Sequence, residues 1–347
     1  MIEDALKLTA HFGARDRAGG GLLADALIDV CERHAVRASA LFGGIEGFGI
    51  KHRLQTERLL TLSEDLPMVV VAVDARERME AVLDEVRELN LNGVTAVEQA
   101  QLITGDDWPA TLADGARTIK LTIHLGRQER AGGRPAHLAV VDRLHRLGVA
   151  GATVLLGLDG TAHGVRRRGR FLARNGEVPM MVVSVGESDR IARALPELSR
   201  MLSRPLMSVE RTRVLKRDGM LLADARGPSA VETAGGASME RLTVYVGEQA
   251  RYQREPLHGA VIRALRREGA AGATALRGVW GYHGEHRPHG ERLWSVRRHV
   301  PVVTVLLDTP ANIGRWFEIV DEMTPDTGLV TRETVPTVWS RLPPTDL

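Results

Sequence analysis

The sequence predicts an α+β chain made of three tandem copies of one small βαββαβ domain. Two observations carry that prediction. One set of residues recurs three times at fixed offsets, and strand-like and helix-like hydrophobic periods alternate within each copy. A chain of 347 residues also has room for three cores of about 100 residues each.

The recurrence begins with a Leu-Thr pair at Leu8-Thr9, Leu121-Thr122 and Leu242-Thr243. Each pair is followed in the same register by a glycine (Gly13, Gly126, Gly247) and then by an arginine (Arg17, Arg130, Arg251). Without a gap, Gly44-Ile45-Glu46-Gly47 then aligns with Gly157-Leu158-Asp159-Gly160 and with Gly278-Val279-Trp280-Gly281. Farther on, Pro67, Pro179 and Pro301 each introduce an apolar run, and nine residues before each proline stand Arg58, Arg170 and Arg292.

The elements follow in order. KLTAHF, IKLTIHL and RLTVYV read as first strands, and 22–35, 135–147 and 256–268 carry apolar residues at helical spacing. Second strands are expected at 38–43, 151–156 and 272–277. A long loop rich in glycine and arginine comes next, and the third strand begins at the proline. Helical patterns at 75–90, 187–203 and 310–323 precede last strands near 94–103, 206–215 and 329–335. This order predicts ferredoxin-like domains with both helices on one sheet face. An apolar opposite face would need covering, and three sheets packed about a pseudo-threefold axis would cover it. The units are expected at 1–105, 118–216 and 240–340, joined by linkers 106–117 and 217–239.

Composition narrows the function classes. Forty-six Lys and Arg against forty-four Asp and Glu leave a charge of +2, which argues against a nucleic-acid coat. A single cysteine, Cys31, excludes a disulfide framework and points to a reducing compartment. The start lacks the pattern of a secretion signal and no apolar run approaches about 18 residues, so a cytoplasmic location is expected. No Walker A, GxSxG or HExxH motif occurs, and no enzymatic activity is expected.

The stretch GGIEGFGIKHRLQTERLLTLSEDLPMVVVAVD (43–74), with LTAHFGARDRAGG before it, resembles the PII-like family known as domain of unknown function 190. GRQERAGGRP with AGATVLLG, and GEQARYQREPLH with AGATALRG, extend the resemblance to the other copies. It implies a PII-like pseudo-trimer closed within one chain and a monomer in solution. It also implies an adenine nucleotide or related phosphorylated metabolite bound in clefts between repeats, without a further cofactor. The long loop after the second strand would contact a partner protein, a membrane transporter being one candidate.

The loops supply the candidate ligand residues. Glycines can expose backbone N–H groups to a phosphate, and arginine offers a planar fork for its oxygens. In the first copy these are Arg17, Gly44, Glu46, Gly47, Phe48, Gly49, Arg53 and Arg58. In the second they are Arg130, Gly157, Asp159, Gly160 and Arg170; in the third, Arg251, Gly278, Trp280, Gly281 and Arg292. The same glycines would also serve tight turns, and the arginines could brace their own loops. Because Trp280 replaces the carboxylate of Glu46 and Asp159, a triplicated catalytic acid is not supported and the three clefts should differ. His283, Glu285, His286 and His289 invite a metal reading, but their spacing matches no strong motif. A ligand-free interaction scaffold is the alternative to the nucleotide regulator, with a metal-ion protein third.

Overall fold

The computed structural model describes residues 2–49, 54–56, 65–91, 93–105, 115–169, 177–222, 239–283, 288–290 and 300–340. Repeat 1 consists of β1 (Ile2–Gly13), α1 (Leu23–Arg33), β2 (Ala38–Gly43), β3 (Glu46–Phe48), β4 (Pro67–Ala75), α2 (Arg76–Glu88) and β5 (Val94–Ile103). Repeat 2 consists of β6 (Thr118–Gly126), α3 (Ala136–Arg146), β7 (Gly151–Leu156), β8 (Asp159–Ala162), β9 (Pro179–Glu187), α4 (Ser188–Met201), β10 (Met207–Arg211) and β11 (Arg213–Arg217). Repeat 3 consists of β12 (Met239–Gly247), α5 (Leu257–Arg267), β13 (Ala273–Arg277), β14 (Trp280–His283), β15 (Pro301–Asp308), α6 (Pro310–Met323), β16 (Leu329–Val335) and β17 (Thr337–Ser340).

In every repeat the first main strand (β1, β6, β12) lies between the third (β4, β9, β15) and the fourth (β5, β10, β16), and the second (β2, β7, β13) pairs outside the third. That antiparallel order is the ferredoxin-like one expected from the sequence. Side chains alternate across β1: Leu6, Leu8, Ala10 and Phe12 face α1 and α2, where Leu27, Ile28, Val82 and Val86 complete a buried core. Repeats 2 and 3 build their own cores in the same way, the third around Trp316 and Phe317.

The repeats are joined by two cyclic exchanges of backbone pairing, a closer union than face-to-face packing of separate sheets. In the first exchange, the short strand after each glycine turn pairs with the second strand of another repeat. Thus β3 pairs β13, β8 pairs β2, and β14 pairs β7. In the second, chain at or beyond each fourth strand reaches the fourth strand of the next repeat: β5 to β10, β11 to β16, and β17 to β5. Each exchange runs once around the three repeats and closes. The pairing of β11 and the hairpin strand Met220–Leu221 falls partly in the stretch read from the sequence as linker 217–239.

The inward sheet faces differ from the apolar surface that the sequence reading anticipated. Their apolar part includes Ala40, Phe42, Val69 and Val71 against Leu155, Met181 and Leu276. Their centre is charged. On the inner side of the three first strands stand Lys7, Lys120 and Arg241, and on the fourth strands stand Glu98, Glu210 and Glu333, all six at most 6% exposed. Lys7 pairs with Glu98 (3.1 Å) and Glu210, Lys120 with Glu210 (2.9 Å) and Glu333 (2.5 Å), and Arg241 with Glu333 (3.1 Å) and Glu98 (2.6 Å). Each cation therefore bridges its own repeat's carboxylate and that of the next repeat, and the six charges close into one neutral ring.

Candidate functional site

The glycine turns form the joints between repeats. Gly44, Gly157 and Gly278 each donate a backbone N–H to the carbonyl of Pro67, Pro179 or Pro301, at 2.7 to 2.8 Å. A Cβ at any of the three would lie 2.6 to 2.9 Å from that proline's ring. Gly47, Gly160 and Gly281 face the neighbouring repeat's strand, where a Cβ would approach the carbonyl oxygens of Ala273, Ser39 and Ala152 to 2.6, 2.1 and 2.3 Å. Close approach of a proline ring at the first three positions and of a neighbouring repeat's carbonyl at the second three accounts for glycine at all six. Gly49 has open space around its Cβ position.

The side chains beside these glycines give each joint its own chemistry. Between repeats 1 and 3, Glu46 is buried and accepts from Arg263 of α5 at 3.1 Å, while Phe48 is buried in the core of repeat 3. Between repeats 2 and 1, Asp159 accepts from Arg166 of its own loop at 2.8 Å. Arg166 continues to Asp29 (2.5 Å) and Glu32 (2.9 Å), and Arg168 reaches Asp25 (2.9 Å). Arg166 and Arg168 thus clasp an acidic face of α1 spaced i, i+4, i+7. Between repeats 3 and 2, Trp280 packs on the repeat 2 core, and the Tyr282 hydroxyl donates to the Val149 carbonyl at 2.9 Å, its ring edge-on to His145.

The remaining candidates are distributed as follows. Arg17 donates to the carbonyl of Gly20 (3.2 Å) and Arg130 to that of Gly133, so both brace their own hairpin turns. Arg251 is exposed at the equivalent place. Arg53, Arg58, Arg170 and Arg292 lie outside the described residues, as do Glu285 and His286 of the third-loop cluster. Cys31 is buried in the repeat 1 core, where burial pushes its thiol up to about 12, a poor nucleophile at neutral pH.

Among the described residues, small spaces lie at two of the joints. One is lined by Ser39, His124, Thr161, His163, Met181 and Leu206, the other by Thr153, Tyr245, Tyr282, His283, Pro301 and Leu329. Each encloses about 10 Å³, room for one water. The oxygens of Glu98, Glu210 and Glu333 also converge within 4.8 Å, a spacing open to a metal ion, yet each carboxylate already lies between two of the ring's cations. Burial alone would push the Glu98 carboxyl up, but Arg241, Lys7 and Lys120 outweigh it and hold the group below the usual range.

Above the ring, one position along the same inner face of the first strands, stand Thr9, Thr122 and Thr243, and above these His11, His124 and Tyr245. Burial drives His124 down to about 4 and His11 to about 3. The unfolded chain therefore takes up protons near pH 6.5 that the fold refuses, so stability is fully present above that pH and declines as pH falls toward 4. Each histidine contributes up to about 1.4 kcal/mol per pH unit in that window. His124→Gln is expected to flatten the slope of unfolding free energy against pH between 4.5 and 6 by about one proton, as read from urea melts. An unchanged slope would mean that His124 titrates normally in the fold.

Comparisons with known proteins agree with the repeat pattern. A UPF0166 protein of Aquifex aeolicus (strain VF5) is 24% identical over 98 residues, which is 28% of this chain and 91% of that protein. A solved aspartate kinase from Synechocystis is 12% identical; the alignment covers 96% of this chain but only 44% of the kinase, and its TM-score of 0.24 carries no structural argument. The model of domain of unknown function 190, described as "Uncharacterized ACR", matches three times, at residues 5–102, 118–214 and 239–337. With the ferredoxin-like topology present in all three segments, the chain belongs to this PII-like family and carries three copies of its domain.

Proposed function

We propose that the chain is a PII-like regulatory protein, without enzymatic activity, that binds an adenine nucleotide or related phosphorylated metabolite between its repeats. The observation that carries this reading is the cyclic exchange at the glycine turns. Each long loop departs from a strand that is docked on a different repeat, so a ligand bridging two repeats also sets the base of a loop. That loop would then present one of two surfaces to a partner protein, of which a membrane transporter is one candidate. The protein would act in the cytoplasm, and closure of both exchanges within one chain supports a monomer. Light scattering that returned a stable homotrimer would overturn that assembly.

Isothermal titration with ATP, ADP and AMP tests the ligand. Binding in the micromolar range is expected, with Arg58→Ala weakening it about tenfold through loss of a charge-assisted contact. Arg170→Ala and Arg292→Ala should cost less, since the first copy keeps the full glycine loop. One observation favours a second reading, a ligand-free interaction scaffold: among the described residues, the two spaces at the joints have room for about one water each. Failure of all three nucleotides to bind would select the scaffold.

A further inference from the structure

The joint between repeats 1 and 3 is distinguished by what covers the first turn of the neighbouring helix. In α5 the third residue is Gly259, and a Cβ there would meet a carboxylate oxygen of Glu46 at 2.7 Å. Pro256 at the N-cap offers no side-chain acceptor to that turn. Glu46, 8% exposed, thus lays its carboxylate in the open cradle at Gly259, and Arg263, one turn farther on, donates to it at 3.1 Å. Arg263 also pairs with Glu255 at 2.5 Å.

Arg251, Arg263 and Arg277 stand around this turn, with Glu46, Glu248 and Glu255 among them. His258, on the same turn, is pushed down to about 4, first by burial and then by Arg277, Arg251 and Arg263, and its Nδ1 is buried without a hydrogen-bond partner. Arg277 itself pairs with Glu248 at 2.9 Å. The other two helices differ at the corresponding positions. There α1 has Asp25 and Asp29, and α3 has Leu138 and Asp142, so neither combines the open cradle with an arginine.

We propose that the first turn of α5 and Arg263 form a phosphoryl-binding site that the chain keeps occupied with its own Glu46 carboxylate, so that a small phosphorylated ligand binds by displacing Glu46. The inference deepens the regulatory reading and rests on it for the signalling role of the loop, whereas the anion site stands on the joint's geometry. A phosphoryl group brings more charge and three acceptor oxygens where the carboxylate brings one charge and two. It also suits the guanidinium fork and the N–H groups of a helix start that follow Leu257, whose own N–H donates to the Ala250 carbonyl at 2.9 Å. The carboxylate has the compensating advantage of being tethered, which places it at high effective concentration. The ligand must therefore compete, and its apparent affinity is reduced by the fraction of time the site is self-occupied. Displacement frees Glu46 while Phe48, two residues on, keeps the strand anchored in repeat 3, so the change is confined to the base of the loop.

Titration of inorganic phosphate and of ADP into the full chain, the Glu46→Gln variant, the Glu46→Gln/Arg263→Gln double variant and Asp159→Asn tests the proposal. Glu46→Gln should bind both probes at least tenfold more tightly than the unmodified chain, the double variant should lose the gain, and Asp159→Asn should show none. A Glu46→Gln protein no tighter than the unmodified chain, or a gain that survives Arg263→Gln, overturns the site. Should Glu46→Gln fail to fold, Glu46→Asp withdraws the carboxylate by one methylene and should give a smaller gain of the same sign; no gain there overturns the proposal equally. Tighter phosphate without any nucleotide binding would leave this site standing and remove the nucleotide reading. Nucleotide binding by the unmodified chain that is indifferent to Glu46→Gln would do the reverse.

Discussion

Lys120→Met is expected to destabilise the chain by about 3 to 5 kcal/mol, the cost of leaving a buried ionic partner uncompensated. The lysine lies between Glu210 at 2.9 Å and Glu333 at 2.5 Å, and burial, which would pull its pKa down, is outweighed by Glu210, Glu333 and Glu98. Without it, three converging carboxylates share two cations in a site closed to water. The same logic gives the opposite result for the ring as a whole. Replacing all six charges with apolar residues of similar volume should restore much of the loss, since a buried ionic network commonly contributes little net stability over a hydrophobic core. Urea denaturation of the single and sixfold variants decides the matter. A loss below about 1 kcal/mol for Lys120→Met would place the ring in the class of exposed ion pairs and contradict its burial.

Gly160→Ala should cost about 3 kcal/mol or more, because its Cβ would stand 2.1 Å from the backbone carbonyl oxygen of Ser39 in another repeat. No side chain can move to relieve that contact; the pairing of 159–162 with 38–41 has to open. Gly49→Ala is the control. Nothing lies within 4 Å of its Cβ position, and the change should stay within about 0.5 kcal/mol. Equal losses for the two variants, measured by the same urea melts, would show that backbone approach is not what requires glycine at the joint.

The alternation of hydrophobic periods was enough to locate the four main strands and two helices of each repeat, because one face of each is apolar; the short strands β3, β8 and β14 fall where the sequence reads as loop, since three or four residues carry no period and their pairing partners belong to another repeat. It was not enough to describe the centre. Lys7, Lys120 and Arg241 recur directly before each Leu-Thr pair, yet KLTAHF alternates as any half-exposed strand does. A period of two says which residues share a face, but not whether that face meets water or two further sheets. The turn glycines were legible by recurrence, although recurrence does not distinguish a phosphate from a neighbouring carbonyl as the group that comes close. The Glu46–Arg263 pair was beyond reach, since its partners are 217 positions apart and belong to no shared local pattern.

The unlike joints also bear on what a fused chain can do that a ring of identical subunits cannot. An arginine clasp on an acidic helix, a carboxylate in a glycine cradle and an aromatic anchor are three different locks, and each fits one neighbour. A repeat docked in the wrong order would set Arg166 against Arg263, or Glu46 against Asp142, so the joints themselves encode the sequence of the ring. In a homotrimer every substitution is made three times and every cleft changes together. Here it is made once, which lets one joint change its chemistry while the other two hold the ring closed.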